Sequence, residues 1–397
     1  MKDICLDIEW MGRDGADGVF EVLAPGFFFA ELFWADKGGR ALTGWTNLAH
    51  VPLTGGKGTF ALTGGRAVPE KAETVLCRAV TEDGSRTAEC TREVPGERKR
   101  SWEGRHRFAV ASDLHISNKA GPLARLYDFA VDTDGLLLAG DTVNDGTPGQ
   151  FKFVKDCVMD GGRKHQRHLP IFAVAGNHDM PLKPLPSIET EGQGGYPVFQ
   201  RWLQERVEAV GNCWNQDVSG AYAVPIGESI ELIGLQCVSH YRRFVFRGGK
   251  QLEWLERHLD ETDHLRWHVI LCHAPLLGHN PQRSAPRDAP YLSRDEALGR
   301  ILDAHHNIIF ISGHTHFSLN NRFGCVDWDG GRNNLYLNAG SIRKTTMHAR
   351  EPWAPPEWTE GCAVLLGIGE TDLEITTVGL YSGNKQARGY YCLHGGD

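Results

Sequence analysis

The sequence predicts a chain in two parts. An all-β sandwich spans residues 1–104, and a mixed α/β (α+β) domain spans 105–381, with a tail at 382–397. Three observations point there. At 397 residues the chain exceeds one ordinary domain. The first hundred residues read as short strands parted by Gly- and Asp-rich turns. From Arg107 onward, apolar strand-like runs alternate with helical segments, the pattern of βαβ units and a largely parallel sheet.

In the first part the candidate strands are Ile4–Trp10, Val19–Leu23, Phe27–Trp34, Gly58–Leu62, Thr74–Thr81 and Arg86–Val94. Turns such as Asp36-Lys37-Gly38-Gly39 and Glu82-Asp83-Gly84 separate them. That spacing suits a sandwich of the immunoglobulin or fibronectin type III kind. Nothing here reads as catalytic: His50 fits a surface or packing role, and Trp34 and Trp45 fit a core. Its expected role is packing against the second domain or forming an oligomer interface, so a homo-oligomer is an expectation. The hydrophilic stretch Pro95–Arg105 reads as the linker; its Glu-Arg-Lys-Arg cluster is too short for a nucleic-acid arm.

In the second part, Phe108–His115 opens as a buried strand. Pro122–Val131 follows as a helix, and Gly149–Met159 as a second helix ending at Gly161-Gly162. Pro181–Tyr196 is a long Pro- and Gly-rich loop, a length usually reserved for function or mobility. Val198–Ala209 resumes as helix, and Ala221–Pro225 with Ser229–Val238 reads as a hairpin. Lys250–Leu259 places Leu252, Leu255 and Leu259 at helical spacing, a core-facing stripe. Asp295–His305 is the last helix, Leu335–Asn338 a strand, and Ala363–Ile368 with Leu373–Val378 a closing hairpin.

Composition narrows the class. The chain is 41% hydrophobic and 23% charged, with a net charge of −8. That argues against a nucleic-acid coat or a polybasic membrane binder. A small anionic substrate stays open, because a metal supplies its own positive charge. No stretch approaches the ~18 apolar residues of a membrane span, and no export signal is visible at Met1-Lys2-Asp3-Ile4-Cys5. The ten cysteines form no C-x-x-C pair and read as reduced thiols. A cytoplasmic protein with no membrane partner is the expectation.

Five strand-like runs end on residues able to bind metal. Phe108–Ala111 leads to Asp113 and His115; Gly135–Ala139 leads to Asp141; Ile171–Ala175 leads to Asn177, His178 and Asp179. Trp267–Cys272 leads to His273, and Ile308–Ser312 leads to His314 and His316. In open α/β sheets chemistry collects past the carboxyl ends of strands. Oxygen and imidazole donors without thiolate suit Mn, Fe or Zn in a hydrolytic site. Asp113, His115, Asp141, Asn177, His273, His314 and His316 make seven donors, too many for one tetrahedral ion and suited to two, the usual equipment for in-line displacement at phosphorus.

The ordered blocks Asp113-x-His115, Gly140-Asp141, Gly176-Asn177-His178-Asp179, His273 and Gly313-His314-x-His316 resemble the calcineurin-like metallophosphoesterase family. The resemblance covers about residues 107–380 and includes Asn338-Ala339-Gly340-Ser341. It implies a four-layer β-sandwich flanked by helices. It further implies that Asp113, His115 and His316 hold one metal, that Asn177, His273 and His314 hold another, and that Asp141 bridges them. A water or hydroxide between the cations then attacks phosphorus. His178 faces the substrate and serves the leaving oxygen, and Asp179 either orients His178 or caps the following turn.

The resemblance also narrows the subfamily. Purple acid phosphatases place a tyrosine three residues after the bridging aspartate, where this chain has Asn144, and they lack the counterpart of His115. The pattern is closer to cyclic-nucleotide phosphodiesterase-like members. A phosphodiester or a phosphomonoester is therefore the expected substrate. A non-catalytic scaffold on the same fold and a nuclease-like member are the alternatives. For substrate contacts, Arg242, Arg243 and Arg247 suit phosphate oxygens, with a solvated charged edge as the other reading. Asn144 holds a substrate oxygen or caps a turn; His240 and His279 fit surface positions; Glu351–Trp358 is a rim or a packed loop.

Overall fold

The computed structural model describes residues 4–11, 17–42, 48–62, 72–93, 106–180, 195–236, 246, 250–276, 279, 295–316, 319, 325–343, 360–370, 372–383 and 385–392. The chain is mixed α/β, as the sequence predicts.

The first seven strands are β1 Cys5–Met11, β2 Asp17–Leu23, β3 Phe29–Ala35, β4 Ala49–Pro52, β5 Lys57–Leu62, β6 Thr74–Val80 and β7 Thr87–Glu93. They form two antiparallel sheets, ordered β1-β2-β5 and β4-β3-β6-β7. One buried cluster draws on both: Leu6, Phe20 and Val22 from the first, Leu32, Trp34, Val75 and Cys77 from the second. The His50 side chain is buried beside Glu31 at 3.4 Å, a packing role. Sequence reading missed β4, a four-residue strand ending in proline.

The rest of the chain builds two larger sheets. One is ordered β10-β9-β8-β18-β19-β20, from β8 His106–Ala111, β9 Gly135–Leu138, β10 Ile171–Ala173, β18 Cys362–Ile368, β19 Asp372–Gly379 and β20 Lys385–Cys392. The other is ordered β11-β12-β13-β14-β15-β17-β16. Its strands are β11 Asn215–Gln216, β12 Tyr222–Ile226, β13 Ile230–Leu235, β14 Trp267–Cys272, β15 Ile308–Ser312, β16 Val326–Asp329 and β17 Asn334–Asn338. β8, β9 and β10 run parallel, as do β13, β14, β15 and β17.

Residues alternate along these strands between two cores, as pleating requires. Phe108, Val110, Leu137, Val269, Leu271, Ile309, Ile311 and Val364 share one cluster drawn from both sheets. Ala109, Ala111, Leu136, Leu138, Ile270 and Phe310 join a second cluster with helix residues Leu126, Phe151, Val154, Leu255 and Leu302. The helices are α1 Gly121–Ala130, α2 Pro148–His165, α3 Tyr196–Glu208, α4 Lys250–Glu261 and α5 Asp295–Ala304. None of the described helices is long and apolar enough to cross a membrane.

Two boundaries differ from expectation. α2 runs through Gly161-Gly162 to His165 and stops where Gln166 turns left-handed at φ 52°. Gly161 is there for packing: a Cβ on it would stand 2.7 Å from the Tyr127 ring. The segment assigned to a tail supplies β20, which pairs antiparallel with β19.

Candidate metal centre

Asp113, His115, Asp141, His273, His314 and His316 meet just past the carboxyl ends of β8, β9, β14 and β15. The donor atoms of Asp113, His115, Asp141 and His316 lie within 4.8 Å of one another, as do those of Asp141, His273 and His314. Asp141 belongs to both groups. His316 Nε2 stands 2.9 Å from Asp113 Oδ1, and His273 Nε2 stands 3.2 Å from Asp141 Oδ2. His115 and His316 bring their Nε2 atoms to 3.0 Å.

The backbone carries strain at this spot. Of the eight described non-glycine residues with positive φ, five are Asp113, His115, Asp141, His314 and His316. Each such residue costs about 1–3 kcal/mol and persists where its surroundings enforce it. Here hydrogen bonds knit the loops together. Asp113 N donates to Gly140 O at 3.1 Å, His115 N to Asp141 O at 2.9 Å, and Gly313 N to His273 O at 3.0 Å. Asn338 Oδ1 accepts from the Thr315 hydroxyl at 2.8 Å and from Gly340 N at 3.0 Å, while its Nδ2 donates to Gly313 O at 3.2 Å. Ser341 donates its hydroxyl to Asp113 O at 3.0 Å.

Gly140 combines two demands. Its φ is +90°, and a Cβ on it would meet His273 Nδ1, Cγ and Cβ at 2.5, 2.6 and 2.7 Å. The absent side chain lets His273 lie against the backbone, where Nδ1 donates to Ala139 O at 2.6 Å. That bond sets the tautomer and turns Nε2 toward Asp141.

Charge and burial mark a cation site. Asp113 Oδ1, Asp141 Oδ2 and Asn177 Oδ1 are buried without a well-aligned hydrogen bond among the described residues, Asp113 Oδ1 and Asp141 Oδ2 facing the Nε2 atoms of His316 and His273. Buried acceptors left this way cost about 1–3 kcal/mol each, a cost that a cation removes. Burial alone would discharge His273, yet Asp141 and Asp113 push it up to about 9. Burial likewise opposes ionisation of Asp113, but His316, His115 and His273 hold it well below the usual carboxylate range. The carboxylates thus gather positive charge, and their oxygen and imidazole donors fit divalent metals.

His178 packs its ring edge-to-face on His115, centroids 4.6 Å apart at 84°. Its Nδ1 donates to the Asn144 carbonyl at 2.8 Å. Asp179 does not orient it. That carboxylate is fully buried and accepts the N–H groups of Val143 and Gly176 at 2.9 Å and of Thr142 at 3.2 Å. It ties the loop after β10 to the loop after β9; burial and the neighbouring Asp141 push it up to about 7. The catalytic role read for Asp179 is therefore corrected to a structural one, since all its oxygens face backbone donors.

Asn144 spends its side chain locally, donating to Asp145 at 2.9 Å. His279 stands apart from the cluster, paired with Asp327 at 2.7 Å and stacked on Tyr336 at 3.6 Å. Arg242, Arg243, Arg247, His240, Trp45 and Glu351–Trp358 lie outside the described residues. Sequence reading missed the supports: Asn338 and Ser341 as individual anchors, and Asp145 with Gln150 beside Asn144. The spacing Thr147-Pro148-Gly149-Gln150, a capping-box pattern, was the one signal for the last.

No curated protein matches the chain significantly. Among solved structures, GAP50 of Plasmodium, titled the anchor in the inner membrane complex, shares 14% identity with a TM-score of 0.47; the match covers 74% of this chain and 90% of that one. Vacuolar Protein Sorting 29 from Cryptosporidium parvum shares 14% identity with a TM-score of 0.34, covering 73% and 100%. YfcE, a phosphoesterase from E. coli, shares 15% identity with a TM-score of 0.29, covering 72% and 100%. Likenesses this distant carry no weight for activity. The model of the calcineurin-like phosphoesterases matches residues 106–318, more than half of the sequence and every block of the Asp/His cluster, so the chain belongs to the calcineurin-like phosphoesterase family.

Proposed function

We propose that this protein is a metal-dependent phosphoesterase with a two-cation site that hydrolyses a small phosphodiester or phosphomonoester. The observation that supports this most is the pair of donor groups sharing Asp141, with three buried oxygens that have no well-aligned hydrogen-bond donor among the described residues. Asp113, His115 and His316 would hold one cation; Asn177, His273 and His314 would hold the other; Asp141 would serve both. Bound there, Mn, Fe or Zn supplies Lewis acidity at the phosphoryl oxygens and lowers the pKa of a water between the ions.

The chain's own groups do the rest. His178 gives Nδ1–H to the Asn144 carbonyl, so a cationic ring carries its labile proton on Nε2. As the bond from phosphorus to the leaving oxygen breaks, that proton passes to the oxygen. Asp179 keeps the His178 loop in register with the Asp141 loop. Backbone anchoring of the strained donors prepays their organisation.

We further infer that residues 1–104 form an immunoglobulin- or fibronectin-like sandwich domain and that the phosphoesterase domain begins near 105. The two antiparallel sheets around one core support this. Chelation followed by Mn²⁺ add-back tests the activity. Hydrolysis of bis-p-nitrophenyl or p-nitrophenyl phosphate should vanish and return, with His178→Ala as control. A fully chelated protein that keeps its activity contradicts the proposal. Diester preference would make cyclic nucleotides the next panel.

A further inference from the structure

The loop between β9 and α2 holds a side-chain lock that has no part in binding cations. Gln150 is the third residue of α2, and its N–H reaches the hydroxyl of the capping Thr147 at 3.4 Å. In a capping box the third residue's side chain returns to the N–H of the cap itself. Gln150 instead reaches two residues further back. Its Oε1 accepts Asp145 N–H at 2.8 Å, and its Nε2 donates to Asp145 Oδ2 at 2.8 Å. Asp145 Oδ1 accepts Asn144 Nδ2 at 2.9 Å.

The Asp145 N–H and the Asn144 carbonyl are two ends of one peptide unit, and that unit is planar. Gripping the N–H at one end therefore fixes where the carbonyl points at the other. That carbonyl is what receives His178 Nδ1–H at 2.8 Å. A carbonyl oxygen only accepts, so the bond sets both the tautomer and the plane of the ring lying against His115. Without the lock, the peptide would be free to rotate about its flanking torsions, next to Gly146 at φ +62°.

We propose that Gln150 and Asp145 are positioning residues for His178, acting through the Asn144–Asp145 peptide plane. The inference rests on the phosphoesterase reading, in which His178 serves the leaving oxygen. Misplacing a catalytic group by ~1 Å costs up to about 100-fold in rate.

The test is a set of variants of the full chain, loaded with Zn²⁺. Gln150→Ala, which removes the lock, and Gln150→Glu, which sets a carboxylate against the Asp145 carboxylate, should each lower kcat for phenyl phosphodiesters by about 10- to 100-fold while leaving bound metal unchanged. The penalty should be smaller for p-nitrophenyl esters, whose leaving oxygen needs little protonation. The double variant Asp145→Asn/Gln150→Glu reverses donor and acceptor across the lock and keeps both bonds, so it should recover most of the lost rate. In a His178→Ala background, Gln150→Ala should add no further loss. An independent readout needs no substrate. In ¹⁵N-histidine-labelled protein, the imidazole N–H signal of His178, assigned by its absence in His178→Ala, should be lost in Gln150→Ala and return in the double variant.

An unchanged signal and rate in Gln150→Ala overturns the proposal. So does a full additional loss in the His178→Ala background, or a folded double variant that recovers neither signal nor rate. If the native protein hydrolyses nothing while the signal follows the pattern above, the lock stands and the phosphoesterase reading alone fails.

Discussion

Replacing Gly140 with alanine tests whether close approach of backbone and ring builds the cluster. The new Cβ would sit 2.5–2.7 Å from three atoms of His273, at a φ of +90° that side-chain-bearing residues avoid. Ordinary van der Waals contact begins near 3.4 Å, so the ring must withdraw by several tenths of an ångström to almost 1 Å. Either the 2.6 Å bond from Nδ1 to Ala139 O or the 3.2 Å approach of Nε2 to Asp141 then fails. Backbone strain of about 1–3 kcal/mol and overpacking of similar size add, giving a loss of about 2–6 kcal/mol. Cation affinity should fall by about 10- to 100-fold, the usual effect of disturbing a ligand's support. Urea unfolding of the metal-loaded protein and a Zn²⁺ competition titration measure the two effects. Gly149→Ala is the control, because nothing lies within 4 Å of its Cβ position on α2; it should be neutral or mildly stabilising. A Gly140→Ala protein with native stability and native affinity would refute the steric reasoning.

Other outcomes follow from the same structure. Asn338→Ala removes the acceptor of the Thr315 hydroxyl and of Gly340 N–H, so urea unfolding should show a loss of about 2–4 kcal/mol, with weaker metal binding at His314 and His316. His268, 3% exposed, is pushed by burial down to about 4, against the opposing pull of Glu231 and with His258 and His305 nearby. Its Nε2 meets Thr262 Oγ1 at 3.0 Å. Because the unfolded chain takes up that proton near pH 6.5 and the native one only near 4, stability is full above pH 6.5 and falls between 6.5 and 4. The fall should approach about 3 kcal/mol and be absent in His268→Gln; equal pH dependence in both proteins would remove His268 from the explanation. His115→Ala should lower bound metal without moving the midpoint of unfolding in chelator; unchanged stoichiometry would speak against its role as a donor.

The strands that carry the Asp/His cluster were legible because buried parallel strands read as unbroken apolar runs, and breakers such as Gly140, Gly176 and Gly313 mark where they stop. Spacing at those stops put the Asp, Asn and His donors on one edge of the fold. Sequence could not show that five donors take left-handed backbone, since nothing in a side chain's identity announces the hydrogen bonds that enforce it. Edge strands escaped for a different reason: β11 has two residues, and β16 reads Val-Asp-Trp-Asp, too short and polar for a periodic signal. α2 outran its expected end because Gly161 answers to Tyr127, a neighbour distant in sequence. Asp179 was misread for the same reason, as its partners Thr142 and Val143 come from another loop.

Counting bound metal while following hydrolysis tests the central claim most directly. The native protein, stripped with chelator, is titrated with Mn²⁺ and assayed on bis-p-nitrophenyl phosphate at each step. Two equivalents should bind tightly, and hydrolysis should rise with the second and vanish on renewed chelation. Hydrolysis complete at one equivalent, or indifferent to chelation, would contradict a two-cation site built on Asp141.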